Sequence, residues 1–435
     1  MNTKLSLMDD LHERGLVFGQ TSPDLSEWLE SGSRTVYIGF DPSASSLHIG
    51  SLLQLATLRR FLKRGHKVIC LAGGATGLIG DPSGKQNERN LQSESEIQRN
   101  LQGIKSNFET TLSAFGKDRY LVLNNYDWFA NMNILSFLRD VGKHFSVNAM
   151  LLKDSVKSRL TEREQGISFT EFSYMLIQAY DFYYLYTNHG CSLQIGGSDQ
   201  WGNITAGTDL IRRKSKSDES EKIKAFGLTM PLVTKSDGSK FGKSEGGNIW
   251  LNPEMTSPYD FYQFWLQTSD EMVGKLLAYY TDLSKEERET LLNSHKAAPE
   301  QRAAQHALAR EMTEWVHGAK ATEKSATAGS VLFSGQPFSD ISPDLLKAAL
   351  QQSLRCEVSE SSLNKGISLV DALVMTEVHP SKGLARKEIQ AGAVEVNGRK
   401  TPDPAYVLSE KDVLPSVGII LKKGKKTFAW LQIVN

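Results

Sequence analysis

Along its first half the chain alternates short β-rich apolar runs with longer segments whose apolar residues recur at helical spacing. Thr35 to Phe40 precedes Leu52 to Leu62, Lys67 to Leu71 precedes Glu94 to Phe115, and Tyr120 to Leu123 precedes Ile134 to Phe145. This βαβα order predicts an α/β, doubly wound, Rossmann-like parallel sheet flanked by helices, with its ligand site at the carboxyl ends of the strands. From about Ser257 the pattern changes to helical periods with few strand signals, as in Tyr259 to Gln267, Glu271 to Tyr279 and Arg302 to Val316. Gly318 to about Asn364 is richer in Ala, Ser and Gly and reads as a linker with one or two short helices. The tail combines helix candidates at Leu369 to Met375 and Ala385 to Gln390 with strand-like pieces at Val394 to Val396 and Phe428 to Ile433. The expected division is a Rossmann-like domain over 1–255, an α-helical domain over 256–345, a linker over 346–365 and a small α+β domain over 366–435.

Composition narrows the class. The 435 residues carry 50 Lys+Arg against 50 Asp+Glu, with 40% hydrophobic residues, which excludes disorder from charge excess and a wholly basic nucleic-acid coat. Cys70, Cys191 and Cys356 are far apart, so neither a disulfide framework nor a thiolate metal site is expected, and a reducing compartment is. No apolar run reaches membrane-spanning length, and Asp9, Asp10 and Glu13 near the start are unlike a secretory or transit peptide. The expectation is a cytoplasmic protein with no membrane partner. Charge is uneven, however: Ser361 to Asn435 holds eleven basic against seven acidic residues, a net of +4. Such a tail can attract a polyanion or can be chance.

Five segments carry chemistry. Tyr37 to Gly50 reads as a strand, a polar turn and a helix start, where unpaired N–H groups and the helix dipole favour an anion. Gly50 permits close approach, and Ser43 and His48 are placed to donate to phosphate oxygens. His48 alone would equally serve as a structural hydrogen-bonding residue. Gly73 to Lys85 holds five glycines in thirteen residues but lacks the P-loop order. Lys85 and Arg89 after it are either polyphosphate-binding cations or a solvated basic pair.

Tyr174, Gln178 and Asp181 fall at i, i+4 and i+7 in a helical stretch, so their side chains share one face. Among aromatic neighbours a buried Asp needs a polar partner, since burial without one costs several kcal/mol, about the scale of desolvating a charge. A ligand is one such partner; a surface-facing stripe is the alternative. Leu193 to Asn203 is again strand, glycine turn and helix, with Asp199 placed to accept a ribose diol and Gln200 to reach a carbonyl or amino group. Lys240 and Lys243, three apart in a glycine-bounded loop, can close over a leaving pyrophosphate, though such a pair alone says little.

In this order the segments resemble the class I aminoacyl-tRNA synthetases, with His48-Ile49-Gly50 as the HIGH signature and Lys240 to Ser244 as the KMSKS signature. The chain is most similar to the bacterial-type tyrosyl-tRNA synthetase family, over almost its whole length. The resemblance implies that Tyr37 and Asp181 bind a tyrosine hydroxyl and that Asp81, Tyr174 and Gln178 hold its α-ammonium. It places Gly39, Asp41, Gly50, Asp199 and Gln200 around the adenylate, Ser43 and His48 at the α-phosphate, and Lys85, Arg89, Lys240 and Lys243 on pyrophosphate, with Gln200 and Lys243 also serving tyrosine and ATP. Ser381 to Gly398 resembles an RNA-binding domain of ribosomal type, with Lys382, Arg386 and Lys387 facing tRNA, and residues 256–345 would read the anticodon. Implied partners are tRNA(Tyr), L-tyrosine, ATP with Mg²⁺ and a second copy of the chain through Trp128 to Met150, with no permanently bound metal. A site that bonds a hydroxyl rejects the analogue lacking it by about 10⁴ to 10⁵, a range set by tyrosyl-tRNA synthetases themselves, so editing is unnecessary. One departure stands out: Ser51 replaces the second His of HIGH, and its contact with nucleotide is not expected. That departure and the basic tail also suit an RNA-binding or splicing-accessory protein on the same scaffold.

Overall fold

The computed structural model describes residues 5–81, 92–153, 156, 167–215, 224–234, 241–244, 247–332, 336–351, 353–424 and 427–434. Two compact units are formed, one from Met1–Thr256 with Leu266–Leu308, the other from Ser257–Trp265 with Ala309–Asn435.

The first unit is built on a six-stranded sheet of β1 (Gly19–Gln20), β2 (Thr35–Phe40), β3 (Lys67–Ala72), β4 (Tyr120–Asn124), β5 (Cys191–Gly197) and β6 (Phe226–Met230), in spatial order β1-β6-β5-β2-β3-β4. All pairs are parallel except the antiparallel edge β1. The chain winds from β2 out to β4, then returns to the other side of β2 through β5, so the crevice of a doubly wound sheet opens between the ends of β2 and β5. Val68, Ile69, Cys70, Leu71 and Ala72 of β3 are all buried, the unbroken apolar run of a strand covered on both faces. Of the flanking helices, α1 (Ile49–Lys63) is capped by His48, and α2 is the short Gly74–Ile79 turn. Helix α3 (Glu94–Leu112) starts with a Ser93–Glu96 capping box. Helix α4 (Phe169–His189) runs from a Ser168 cap to left-handed Gly190 and precedes α5 (Trp201–Lys214). Gly103 on α3 faces the turn after β2: a Cβ there would run into the Ser45 carbonyl, so only glycine lets the helix press on that turn.

Residues 266–308, grouped by periodicity with the helical domain, belong to the first unit. Buried Arg14 and Arg60 explain this, because both donate to the carbonyls of Ala278 and Thr281.

The second unit holds a five-stranded sheet of β7 (Leu354–Ser359), β8 (Val394–Val396), β9 (Arg399–Lys400), β10 (Ile419–Lys423) and β11 (Thr427–Val434), in order β9-β8-β10-β11-β7. One face packs on Leu369, Leu373, Ala385 and Ile389 through Val394, Leu421 and Leu431. The other packs on Phe338, Leu346 and Leu350 through Ile420, Phe428 and Trp430. Residues 346–365, read from sequence as a linker, thus include the end of a helix (Pro343–Ala349), strand β7 and a short helix (Glu360–Asn364). The strand escaped notice because Leu354 and Arg355 are exposed and polar residues interrupt it, which is edge-strand chemistry.

Candidate active site

A cavity of about 530 Å³ lies at the carboxyl ends of β2 and β5, the switch point of the sheet. Tyr37, Gly39, Asp41, Ser43, His48 and Gly50 from the first motif line it. Asp81, Tyr174, Gln178, Asp181, Asp199 and Gln200 line it from three further segments. Mid-strand Gly39 is exposed on this wall, with nothing within 4 Å of where a Cβ would lie. Ser51 lines the cavity too, so the serine that replaces the second His of the signature stands nearer any ligand than expected.

At the His48 turn the structure corrects one expectation. The first N–H groups of α1 are not left for an anion: Ile49 N–H donates to the Ile249 carbonyl at 3.0 Å, Gly50 N–H to His48 Nδ1 at 2.9 Å and Ser51 N–H to the His48 carbonyl at 2.8 Å. The side-chain bond has its own chemical consequence. With Nδ1 accepting, the ring proton is assigned to Nε2, which makes His48 a donor on the cavity wall. A Cβ on Gly50 would lie 2.6 Å from His48 Cε1 and 2.8 Å from Nδ1, so any side chain there displaces the imidazole. Gly50→Ala is therefore expected to cost about 1 kcal/mol in unfolding free energy through the lost cap and to slow adenylate formation about 10²-fold. Denaturant titration and single-turnover kinetics check the two parts.

The deepest polar group is Asp181, 2% exposed on α4. Its Oδ1 accepts from Trp128 Nε1 at 2.9 Å and its Oδ2 from Asn125 Nδ2 at 3.0 Å. Burial pushes its carboxyl up to about 8, against the pull of these donors. Beside it Tyr37, 1% exposed, packs against Phe182 with ring centroids 5.4 Å apart. Burial and the Asp181 charge hold the Tyr37 phenol well above its usual range, so it stays a donor. Among the described residues its hydroxyl has no hydrogen-bonding partner. A buried hydroxyl left open beside a carboxyl in an aromatic surround suits a ligand that brings one more hydroxyl.

Asn125 and Trp128 are the site residues that sequence reasoning missed as such. Trp128 figured in the family-like segment Tyr126 to Phe129 and in the expected subunit contact, and the structure gives it a stacking partner in Tyr184 at 4.3 Å and a bond to Asp181. The available signal was Asn124-Asn125 at the carboxyl end of β4, two amides where a parallel strand ends. Asn125 also donates to Thr76 Oγ1 at 3.2 Å, and Thr76 donates to Asp41 Oδ1 at 3.0 Å. Tyr174 OH reaches the other Asp41 oxygen at 3.4 Å, so one chain of bonds joins Asp41 to Asp181.

A second cluster centres on Gln200. Its Nε2 donates to Asp81 Oδ2 at 2.8 Å, and its Oε1 accepts from Gln178 Nε2 at 3.2 Å and Asn203 Nδ2 at 3.1 Å. The Gln178 carbonyl oxygen is buried with no partner among the described residues, so Asp81 and Gln178 offer oxygens to a cation. Lys85, Arg89 and Lys240 lie outside the described residues. Lys243 falls in a two-residue strand paired with Gly247–Asn248. Lys382, Arg386 and Lys387 share the helix Lys382–Gln390 of the second unit, where Lys382 pairs with Asp371 at 2.6 Å.

A switch-point cavity with a HIGH-like turn and a buried carboxyl in its wall suits a nucleotide-using enzyme. The chain belongs to the class I tRNA synthetases (W and Y), whose family description matches residues 30–334. Residues 350–431 match the tyrosine–tRNA ligase SYY-like C-terminal domain. Tyrosine–tRNA ligase 1 of Bacillus cereus is 48% identical over 98% of this chain and 99% of its own, and tyrosine–tRNA ligase 1 of Bacillus subtilis is 48% identical over 97% and 98%. The crystal structure of a C-terminally truncated Aspergillus nidulans mitochondrial tyrosyl-tRNA synthetase superposes with a TM-score of 0.69 at 31% identity, covering 76% of this chain and 95% of that one. Within the class, the chain belongs with the tyrosine–tRNA ligases.

Proposed function

We infer that this protein activates L-tyrosine with ATP, giving tyrosyl-adenylate and pyrophosphate, and then transfers tyrosine to the 3′ end of tRNA(Tyr). The observation that carries the reading is the pair of Tyr37 and Asp181, buried in a cavity that His48 also lines. The substrate phenol would donate to Asp181 and accept from Tyr37, while its α-ammonium sits among Asp81, Tyr174 and Gln178 and its carboxylate near Gln200. That carboxylate is already a nucleophile, so no base is needed. Its oxygen attacks the α-phosphorus, the bond from that phosphorus to the bridging oxygen breaks, and pyrophosphate leaves. Ser43 and His48 Nε2–H would meet the charge gathering on the α-phosphate, Gly39, Asp41, Gly50 and Asp199 would cradle the nucleoside, and Lys85, Arg89, Lys240 and Lys243 would neutralise the leaving group. Mg²⁺ would enter as the ATP complex. In the second step a terminal tRNA hydroxyl attacks the acyl carbon and AMP departs.

The test is the amino-acid dependence of pyrophosphate exchange into ATP. Exchange with tyrosine alone is expected; equal exchange with tryptophan would contradict the specificity.

The tail helix with Lys382, Arg386 and Lys387 would contact tRNA phosphates, and the helical segments within 256–345 would read the anticodon. Cys70, Cys191 and Cys356 are free thiols, which suits the cytoplasm, and no described helix is long and apolar enough to cross a membrane. The unit that works would be a homodimer. Leu135 is 76% and Leu152 75% exposed, with Ile134, Leu138 and Val147 open beside them in sequence, an apolar surface that a second copy would cover. Leu135→Asp is expected to shift the protein to monomer at micromolar concentration, read by sedimentation; an unchanged dimer would remove this segment from the interface.

A further inference from the structure

The KMSKS-like segment touches the rest of the unit through Phe241, which lines the cavity and also reaches a residue that does not line it. Phe241 packs against Tyr280, with ring centroids 6.3 Å apart, and its N–H donates to the Val233 carbonyl at 3.3 Å. Gly242, at φ +94°, lies against Ile49 and the Gly50 nitrogen and accepts from Ile249 N–H at 3.0 Å. Ile249 in turn accepts from Ile49 N–H, and Leu251 N–H donates to the Leu47 carbonyl at 2.8 Å. A short main-chain strap thus ties Gly242 to the His48 turn, and Tyr280 backs the aromatic ring next to it.

Tyr280 is the last residue of helix α6 (Asp270–Tyr280) and is fully buried. The carbonyl end of that helix is held by buried guanidinium groups. Arg60, on the same helix α1 that His48 caps, donates to the carbonyls of Ala278, Tyr279 and Thr281 at 3.3, 3.2 and 2.8 Å. Arg14 donates to Ala278, Thr281 and Leu283, and Arg288 to Leu283. Asp282 beside them is ion-paired to Arg59, to Lys63 at 2.7 Å and to Arg60 at 3.5 Å. Cations at the negative end of a helix dipole are favourable, and here they also lock α6 to α1. Both signature segments therefore refer to one frame: His48 stands at the start of α1, and Phe241 leans on a residue clamped to the far half of α1.

We propose that Tyr280, fixed by Arg60, is a positioning residue for the activation reaction: it sets the Phe241–Gly242 segment, and with it the adjoining Lys243, against the His48 turn. This rests on the synthetase reading given above. Positioning a cation for a transition state changes the rate of adenylate formation and leaves the prior binding of the amino acid alone.

The experiment is a double-mutant cycle on the full-length protein with Phe241→Ala and Tyr280→Leu, read by single-turnover adenylate formation and by equilibrium tyrosine binding. Each single variant is expected to slow the rate about 10- to 30-fold with tyrosine affinity changed less than twofold. The double variant should be no slower than the worse single one, because both remove the same contact. Phe241→Met, which keeps apolar bulk, should restore most of the rate. Losses that multiply in the double variant, or a rate within twofold of the parent for a folded Tyr280→Leu protein, would overturn the proposal. Should Tyr280→Leu fail to fold, Phe241→Ala decides: a rate within twofold of the parent, or a parallel loss of tyrosine affinity, overturns the proposal, and a slower rate with affinity intact supports it. A parent protein with no tyrosine-dependent exchange at all would instead refute the synthetase reading beneath it.

Discussion

Asp181→Asn is expected to lower kcat/KM for tyrosine in adenylate formation about 10³-fold while removing a pH-dependent loss of stability from the ligand-free protein. Two losses combine in the first effect. The substrate phenol loses its carboxyl partner to an amide, and the new amide group turns N–H toward either Asn125 Nδ2 or Trp128 Nε1, both of which are donors. Together these are worth about 4 kcal/mol, or about 10³ in rate. The stability effect follows from the raised carboxyl. Between the ordinary carboxylate range and about 8, the unfolded chain has released the Asp181 proton while the folded one keeps it, so the folded state binds more protons and loses stability as pH rises through that window. Removing the titrating group removes that slope. The thermal midpoint of Asp181→Asn should therefore gain on the parent steadily from pH 5 to pH 8. A constant difference between the two proteins would mean that Asp181 does not titrate there.

The second large effect belongs to His48, and paired substitutions separate its two duties. Asparagine is a good helix cap but too short to reach where imidazole Nε2 reaches. His48→Asn is thus expected to keep the unfolding free energy within about 0.5 kcal/mol of the parent and to slow adenylate formation about 10² to 10³-fold, the scale of one lost transition-state donor. His48→Ala should lose the rate equally and about 1 kcal/mol of stability as well. Tyrosine affinity should stay unchanged in both. Full rate with His48→Asn would show that capping is the residue's only work.

The legible parts of the fold were those with strong local signals. Strands Thr35–Phe40 and Lys67–Ala72 are continuous apolar runs, and Phe169–His189 shows its polar face at helical spacing. Tyr174, Gln178 and Asp181 could be read together because one helix face holds them. Less legible were features made by distant contacts. Nothing local marks Asn125 and Trp128 as partners of a carboxylate more than fifty residues away. Strand Leu354–Ser359 takes its shape from pairing with Thr427–Val434 rather than from alternation of its own. The engaged N–H groups of Ile49 and Gly50 could not be foreseen either, since one acceptor is the Ile249 carbonyl, two hundred residues on.

The most direct test of the account is the equilibrium binding of L-tyrosine and L-phenylalanine to the ligand-free protein, measured side by side by calorimetry. Filling the cavity with a ring that lacks a hydroxyl leaves the Tyr37 hydroxyl without a partner and gives Asp181 no third bond beyond those from Asn125 and Trp128, so phenylalanine should bind about 10³-fold or more weakly. Affinities within tenfold of one another would mean that this buried pair does not read the hydroxyl.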